Sequence, residues 1–335
     1  MAWALAGLLS DLASPWNSVS WAWVRDNRYC ILISPVSPLH TGYGSIDNEE
    51  LMTNSYQPTP FRVALIQFTA SRDPEANIGP VSALIRSARA GGAQLICTPE
   101  NTGFMEPDAK TLIEKAEFED SHYSLAAYRN LAAETGAWLV IGSLAVKKPA
   151  EERVANRSYL VDPTGSIAAS YDKIHLFDVD LPNGESHRES KTFSPGGRAV
   201  IANLPWGRLG MSICYDLRFA YYYRLLAQSG AHFLTVPAAF TVPTGKAHWH
   251  VLLRARAIEA GCYVFAPAQT GIHAEGRETY GHSLIVAPWG EVLADGGELP
   301  GIVSAEIDPA AVAKARIAVP ALNHDRSYKA PGAGP

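Results

Sequence analysis

From residue 61 onward the apolar and polar positions change period repeatedly, and each change marks an element. Residues 61–68 (FRVALIQF) alternate and are rich in β-formers, which predicts a strand. Over residues 77–90, Val81, Leu84, Ile85 and Ala88 recur at helical spacing, and Gly91-Gly92 closes the helix. Residues 94–98 (QLICT) read as a short buried strand, broken by Pro99-Glu100-Asn101. A second helix covers 121–135, with Leu125, Tyr128, Leu131 and Ala132 on one face. A strand at 138–144 leads into a hairpin, RSYLVD and SIAASYDK, turning at residues 162–165. Strands are next predicted at 199–204, 208–213, 232–237 and 262–269, with a helix at 246–260. A second hairpin turns at Trp289-Gly290, and the last strand (301–307) precedes a helix opened by Asp308-Pro309. Strands alternate with helices in two regions and with hairpins between them. That pattern predicts a mixed α/β chain in four layers, helix–sheet–sheet–helix, which covers every apolar face. No internal repeat is legible.

The ends read differently. Residues 2–9 are apolar but too short to span a bilayer, and no basic residue precedes them as a secretory signal requires. Residues 35–60 are rich in Pro, Ser, Thr, Asn and Gly and read as irregular. The expectation is an N-terminal extension over 1–59, with Met52 as the natural start, a single domain over 60–328, and a mobile Gly/Pro-rich tail at 329–335.

Composition narrows the function classes. The net charge is −5 and no basic run exists, which argues against a nucleic-acid partner. Cys30, Cys97, Cys214 and Cys262 form no CxxC pair, so neither a disulfide framework nor a thiolate zinc site is expected. Reduced thiols in a cytoplasmic protein with no membrane partner are the expectation, and Cys97 and Cys262 read as core.

The chemistry centres on residues 207–226 (GRLGMSICYDLRFAYYYRLL), where an apolar strand pattern reaches Cys214 and then turns polar and helical. A nucleophile on such a strand-to-helix elbow is exposed, with backbone amides free to hold an oxyanion. Three more residues stand in polar turns after strands: Glu100, Lys173 and Glu189. Sites in α/β sheets gather at the carboxyl ends of strands, so these residues can converge. A thiol needs a base or a cation to become a thiolate, and this set holds both. His248-Trp249-His250 invites a metal reading, but residues two apart on a helix face different sides and no third ligand accompanies them.

These residues resemble the nitrilase superfamily of carbon–nitrogen hydrolases over about residues 60–328, through TPE (98–100), YDKIHLFD (171–178), RES (188–190) and ICYDLRF (213–219). PAAF (237–240), AHW with LLRARAIE (247–259) and TYGHSLIVAPWGE (279–291) look most like its deaminated glutathione amidase branch, with the ω-amidase branch close by. The resemblance implies an αββα sandwich, commonly paired into dimers near the elbow helix, and therefore a homodimer or higher homo-oligomer. It implies Cys214 as nucleophile, Glu100 as general base, Lys173 as transition-state cation, Glu189 as positioning carboxylate and the Tyr215 amide as oxyanion donor. The implied reaction hydrolyses a small-molecule carboxamide to carboxylate and ammonia through a thioester, with no metal or organic cofactor. ω-Amidase action, nitrile hydrolysis and a catalytically silent scaffold are the alternatives. Arg218, Phe219, Ala239 and Thr241 are candidate substrate contacts, and Arg218 could instead pair with Asp216. Phe240 reads either as pocket wall or as packing. The sequence departs from the family at Tyr221 and at His250, where relatives carry acidic residues.

Overall fold

Strand β1 (Phe61–Gln67) turns Val63 and Leu65 to one face and Ala64 and Ile66 to the other, and all four are fully buried. A strand buried on both faces needs a cover on each, and that requirement sets the layering. The computed structural model describes residues 59–181 and 184–331. Met52 and most of the expected N-terminal extension lie outside the described residues, as do the last four residues of the tail.

The first sheet continues with β2 (Leu95–Cys97), β3 (Trp138–Lys147), β4 (Val154–Val161) and β5 (Ile167–Asp172). The second contains β6 (Ile201–Leu204), β7 (Gly207–Met211), β8 (Phe233–Thr235), β9 (Tyr263–Ala266), β10 (Leu284–Val286) and β11 (Val292–Asp295). Strand β12 (Gly301–Ile307) returns to the first sheet and runs antiparallel to β1, with Phe61 opposite Ile307. The spatial orders are β12–β1–β2–β3–β4–β5 and β11–β10–β9–β8–β7–β6. In each sheet three parallel strands, β1–β3 and β7–β9, continue into an antiparallel pair, β4–β5 and β10–β11. The same wiring thus occurs twice although no repeat is legible in the sequence.

The main helices are α1 (Pro74–Ala90), α2 (Ala109–Lys115), α3 (Tyr123–Thr135), α4 (Ala220–Gln228), α5 (His250–Ala260) and α6 (Ala310–Ala318). Helix α1 is capped by the Asp73 side chain, which accepts from the Glu75 amide, and α3 ends on left-handed Gly136. Val81 and Ile85 of α1 and Tyr128 and Leu131 of α3 pack on Ile66, Ile96 and Leu139 of the first sheet. Tyr223 and Leu226 of α4 and Leu253 and Ala257 of α5 pack on Met211, Leu234 and Val264 of the second. Between the sheets, Leu65, Cys97 and Val140 meet Leu209, Phe233 and Phe265. The Phe61 and Trp206 rings stack there with centroids 4.2 Å apart. The result is the four-layer αββα sandwich, with Cys97 and Cys262 in its core.

Several boundaries differ from expectation for local reasons. The strand predicted over 262–269 ends at Ala266, before Pro267, which has no amide to donate. The helix after Cys214 starts late: a 3-10 turn (Cys214–Arg218) comes first, then α4. The segment 246–260 opens as a π turn (Gly245–Trp249) before α5. Helix α2, at seven residues, is too short for a periodic signal. Among the described residues no helix is long and apolar enough to cross a membrane.

Candidate active site

Four chain reversals at strand ends build the site. Glu100 leaves β2 through Thr98-Pro99, and this turn lies hard against β3. A Cβ at Gly142 of β3 would sit 2.1 Å from the Thr98 carbonyl oxygen, so only glycine lets the turn approach. Lys173 leaves β5, its amide donating to the Asn156 carbonyl on β4 at 2.9 Å. Glu189 opens a 3-10 turn (Glu189–Lys191). Cys214 follows β7 with φ 47°, a left-handed backbone that non-glycine residues adopt at a cost, and its amide donates to the Pro237 carbonyl at 2.9 Å.

The elbow is tied to the lysine strand by Asp216, which is wholly buried. Its Oδ2 accepts from the Tyr171 hydroxyl (2.7 Å) and the Ile213 amide (2.8 Å), and its Oδ1 from the His175 amide (3.1 Å). His175 Nδ1 lies 2.7 Å from the same carboxylate, and its Nε2 lies 2.6 Å from the Tyr221 hydroxyl. Tyr221 therefore provides a hydrogen-bonding group at a position where an acidic residue was expected. The Asp216–Arg218 pair considered from sequence is not formed, because Asp216 is engaged by Tyr171 and His175.

Lys173 Nζ donates to Glu100 Oε1 at 2.8 Å and to Glu189 Oε1 and Oε2 at 3.0 and 2.9 Å. The lysine is 2% exposed and Glu100 4%, so the pairing takes place out of water, where a partnerless charge would be very costly. Asn156 Nδ2 bridges the two carboxylates, at 2.9 Å from Glu100 and 3.1 Å from Glu189. The Ala239 amide donates to Glu100 Oε2 at 3.0 Å, and the Phe177 amide to Glu189 Oε2 at 2.6 Å.

Burial acts against ionising Glu100, but the Lys173 charge and the hydrogen bonds from Lys173 and Asn156 outweigh it and hold the carboxyl below its ordinary range. Burial also acts against the Lys173 charge, yet Glu100 and Glu189 drive it well above the usual lysine value. Cys214 is pushed well up by burial and by the Glu100 charge, only partly offset by Lys173. At neutral pH the resting arrangement is therefore a carboxylate, a neutral thiol and an ammonium gathered around one cavity. Such a site can take the thiol proton on demand and stabilise negative charge on an attacked carbonyl.

These groups line a cavity of about 170 Å³ whose wall includes Glu100, Lys173, Glu189, Cys214 and Tyr215, together with Ala239, Phe240 and Thr241. Arg218 and Phe219 are not part of that lining. Arg218 Nη1 lies 3.2 Å from His248 Nδ1, with its guanidinium over the Tyr215 and Phe240 rings, and Phe219 stacks on His175 at 3.6 Å. The cavity carries two other arginines that sequence reasoning passed over. Arg188 pairs with Asp180 at 2.8 Å, whereas the Arg277 Nε is buried with no hydrogen-bond partner among the described residues. Asn156 was also missed, although an asparagine inside a β-rich run is itself a signal, being disfavoured there without a polar partner.

The carbon–nitrogen hydrolase family model matches residues 62–317. The chain is 40% identical over 268 residues to a protein of Synechocystis named deaminated glutathione amidase, covering 79% of this chain and 98% of that one. Its fold matches the Caenorhabditis elegans NitFhit protein with a TM-score of 0.74 at 37% identity, over 80% of this chain and 65% of that one, so it spans about two thirds of that fusion protein. It also matches a glutamate-substituted amidase of Nesterenkonia sp. AN1, with a TM-score of 0.65 at 28% identity, over 77% of this chain and 94% of that one. In that structure the acetamide moiety of fluoroacetamide is covalently added at the active-site cysteine. With the family model covering most of its length, the chain belongs to the carbon–nitrogen hydrolase family and is a hydrolase of carbon–nitrogen bonds other than peptide bonds.

Proposed function

We propose that the protein is a thiol amidase that hydrolyses the carboxamide of a small polar acid, with deaminated glutathione as its substrate. The observation that carries this reading is the buried Glu100 carboxylate, paired with the Lys173 ammonium at 2.8 Å and lining the same cavity as the Cys214 thiol. Glu100 takes the thiol proton as Cys214 Sγ attacks the amide carbon, and the oxyanion is held by Lys173 Nζ and the Tyr215 amide. Glu100 then returns the proton to the leaving nitrogen and ammonia departs, leaving a thioester. Water, deprotonated by the same glutamate, attacks the thioester and restores the thiol and a carboxylate product. Glu189 and Asn156 hold Lys173 and Glu100 in register through both steps.

The substrate assignment rests on the relatives named deaminated glutathione amidase and on the cationic wall of the cavity. Arg277, which lines the cavity where Arg218 does not, is the proposed seat for a substrate carboxylate. Oligomerisation is part of the same reading. Ile258, Trp289 and Val319, each more than half exposed, line an apolar groove between α5 and α6 that a second copy would cover. The free thiols Cys97, Cys214 and Cys262 suit a reducing compartment such as the cytoplasm.

The decisive assay is ammonia release from deaminated glutathione and from 2-oxoglutaramate, with Cys214→Ala as control. The expected result is preference for the former and a loss of about four to six orders of magnitude in the variant. Preference for 2-oxoglutaramate would move the protein to ω-amidase action with the mechanism kept. Folded protein silent on both would overturn the substrate assignment.

A further inference from the structure

Outside the lining of the catalytic cavity, where Leu284 at the start of β10 pairs with Ala266 and Asp295, three side chains from distant parts of the chain converge. His250 opens α5, His282 precedes β10, and Asp295 ends β11. One nitrogen of each histidine and one carboxylate oxygen lie mutually within 4.8 Å. His250 Nε2 is 3.0 Å from Asp295 Oδ2, and His282 Nδ1 is 2.9 Å from Oδ1 and 3.2 Å from Oδ2. A tetrahedral ion with bonds of 2.0–2.1 Å needs its ligand atoms about 3.3 Å apart, so small movements would open the cluster around a metal.

The ligands are also held from behind. The Trp249 indole donates to the His282 carbonyl (2.8 Å), the His282 amide donates to the Gly297 carbonyl (2.7 Å), and the Tyr280 ring stacks on the His282 ring at 4.5 Å. The Gly297 amide donates to Asp295 Oδ1 at 2.9 Å. The last of these is the kind of contact that fixes carboxylate orientation at metal centres, while the others hold the His282 backbone and ring in place. His248 is not part of this cluster: it turns toward Arg218, its Nδ1 3.2 Å from Arg218 Nη1. The partners of His250 come from 32 and 45 positions further along the chain, where no spacing rule looks for them.

We infer that His250, His282 and Asp295 form a binding site for a borderline transition-metal dication such as Zn²⁺, separate from the catalytic cavity. Two imidazoles and one carboxylate select such ions over Mg²⁺ or Ca²⁺, which prefer all-oxygen shells. Three protein ligands leave one tetrahedral corner for water or an exchangeable group. The bound ion clips the start of α5 to the β10–β11 hairpin and so adds to stability.

The test is made on full-length Cys214→Ala protein, so that the active-site thiol cannot bind the probe. Metal-stripped protein is titrated with Zn²⁺ calorimetrically and with Co²⁺ by visible spectroscopy, alongside His250→Gln and Asp295→Asn in the same background. Asp295→Asn keeps a hydrogen-bond acceptor and separates loss of metal from loss of fold. The expected result is one equivalent whose affinity falls about a hundredfold or more in each variant. The melting temperature should rise with Zn²⁺ in the parent and stay fixed in the variants. Equal Zn²⁺ affinity in parent and variants, or no binding by the parent, would overturn the site.

Discussion

Asn156 is the residue whose environment most constrains the site. Its amide is the neutral bridge between two carboxylates that would otherwise share only Lys173. Asn156→Leu keeps the size and removes the bridge, so kcat should fall about ten- to a hundredfold with KM little changed, as for loss of a hydrogen bond to a charged group. Steady-state kinetics of ammonia release decide this; an unchanged kcat would remove Asn156 from the positioning role.

The pH profile belongs to the same scale. Glu100 is depressed on folding, so its stabilising contribution is present above its ordinary 4.5 and is lost as pH falls through the lower folded value. Lys173 is raised, so its contribution is complete below 10.5 and is lost only at still higher pH. The Cys214 thiol stays protonated past its ordinary 9.0. The amidase rate should therefore be flat from about pH 5 to pH 9, measured as kcat/KM across that range. An acid limb near neutrality would mean that Glu100 is not the base.

At the scale of elements, the turn from β2 and the strand β3 are in contact through the absent side chain of Gly142. Gly142→Ala should cost about 1–3 kcal/mol in urea unfolding, as overpacking does, and should lower kcat by moving Glu100. A neutral substitution would show that the turn can retreat without harm. The elbow illustrates how local pattern and tertiary demand diverge. The strand-to-helix transition at Cys214 was legible, because apolar alternation gives way to polar and aromatic residues there. The intervening 3-10 turn was not, since it exists to bring Asp216 onto Tyr171 and His175, forty-five and forty-one residues upstream. Arg218 shows the converse. Proximity to the nucleophile made it a candidate contact, but the turn points its guanidinium to His248, and Arg277 from a distant loop lines the cavity instead.

Across the whole molecule, the groups of the proposed site come from both sheets: Glu100, Lys173 and Asn156 from the first, Cys214 and Ala239 from the second. The inter-sheet core that holds them in register includes Phe233, whose ring meets Phe61 edge-on and Phe265 stacked. Phe233→Ala should cost about 3–5 kcal/mol and shift the urea midpoint, with amidase activity and secondary structure lost in one transition. Activity lost well before structure would mean that the sheets separate on their own.

The layers and most element positions were legible in the chain because burial period is written locally, and the motifs around Glu100, Lys173, Glu189 and Cys214 marked four candidate groups because each motif is contiguous. Only the tertiary structure decided which groups touch. The Asn156 bridge, the Asp216 tie, the placement of Arg277 and the His250–His282–Asp295 cluster all join residues far apart in the chain. The twofold wiring of the sheets was equally invisible, since hydrogen bonding between backbones sets strand order and leaves no repeat in the side chains.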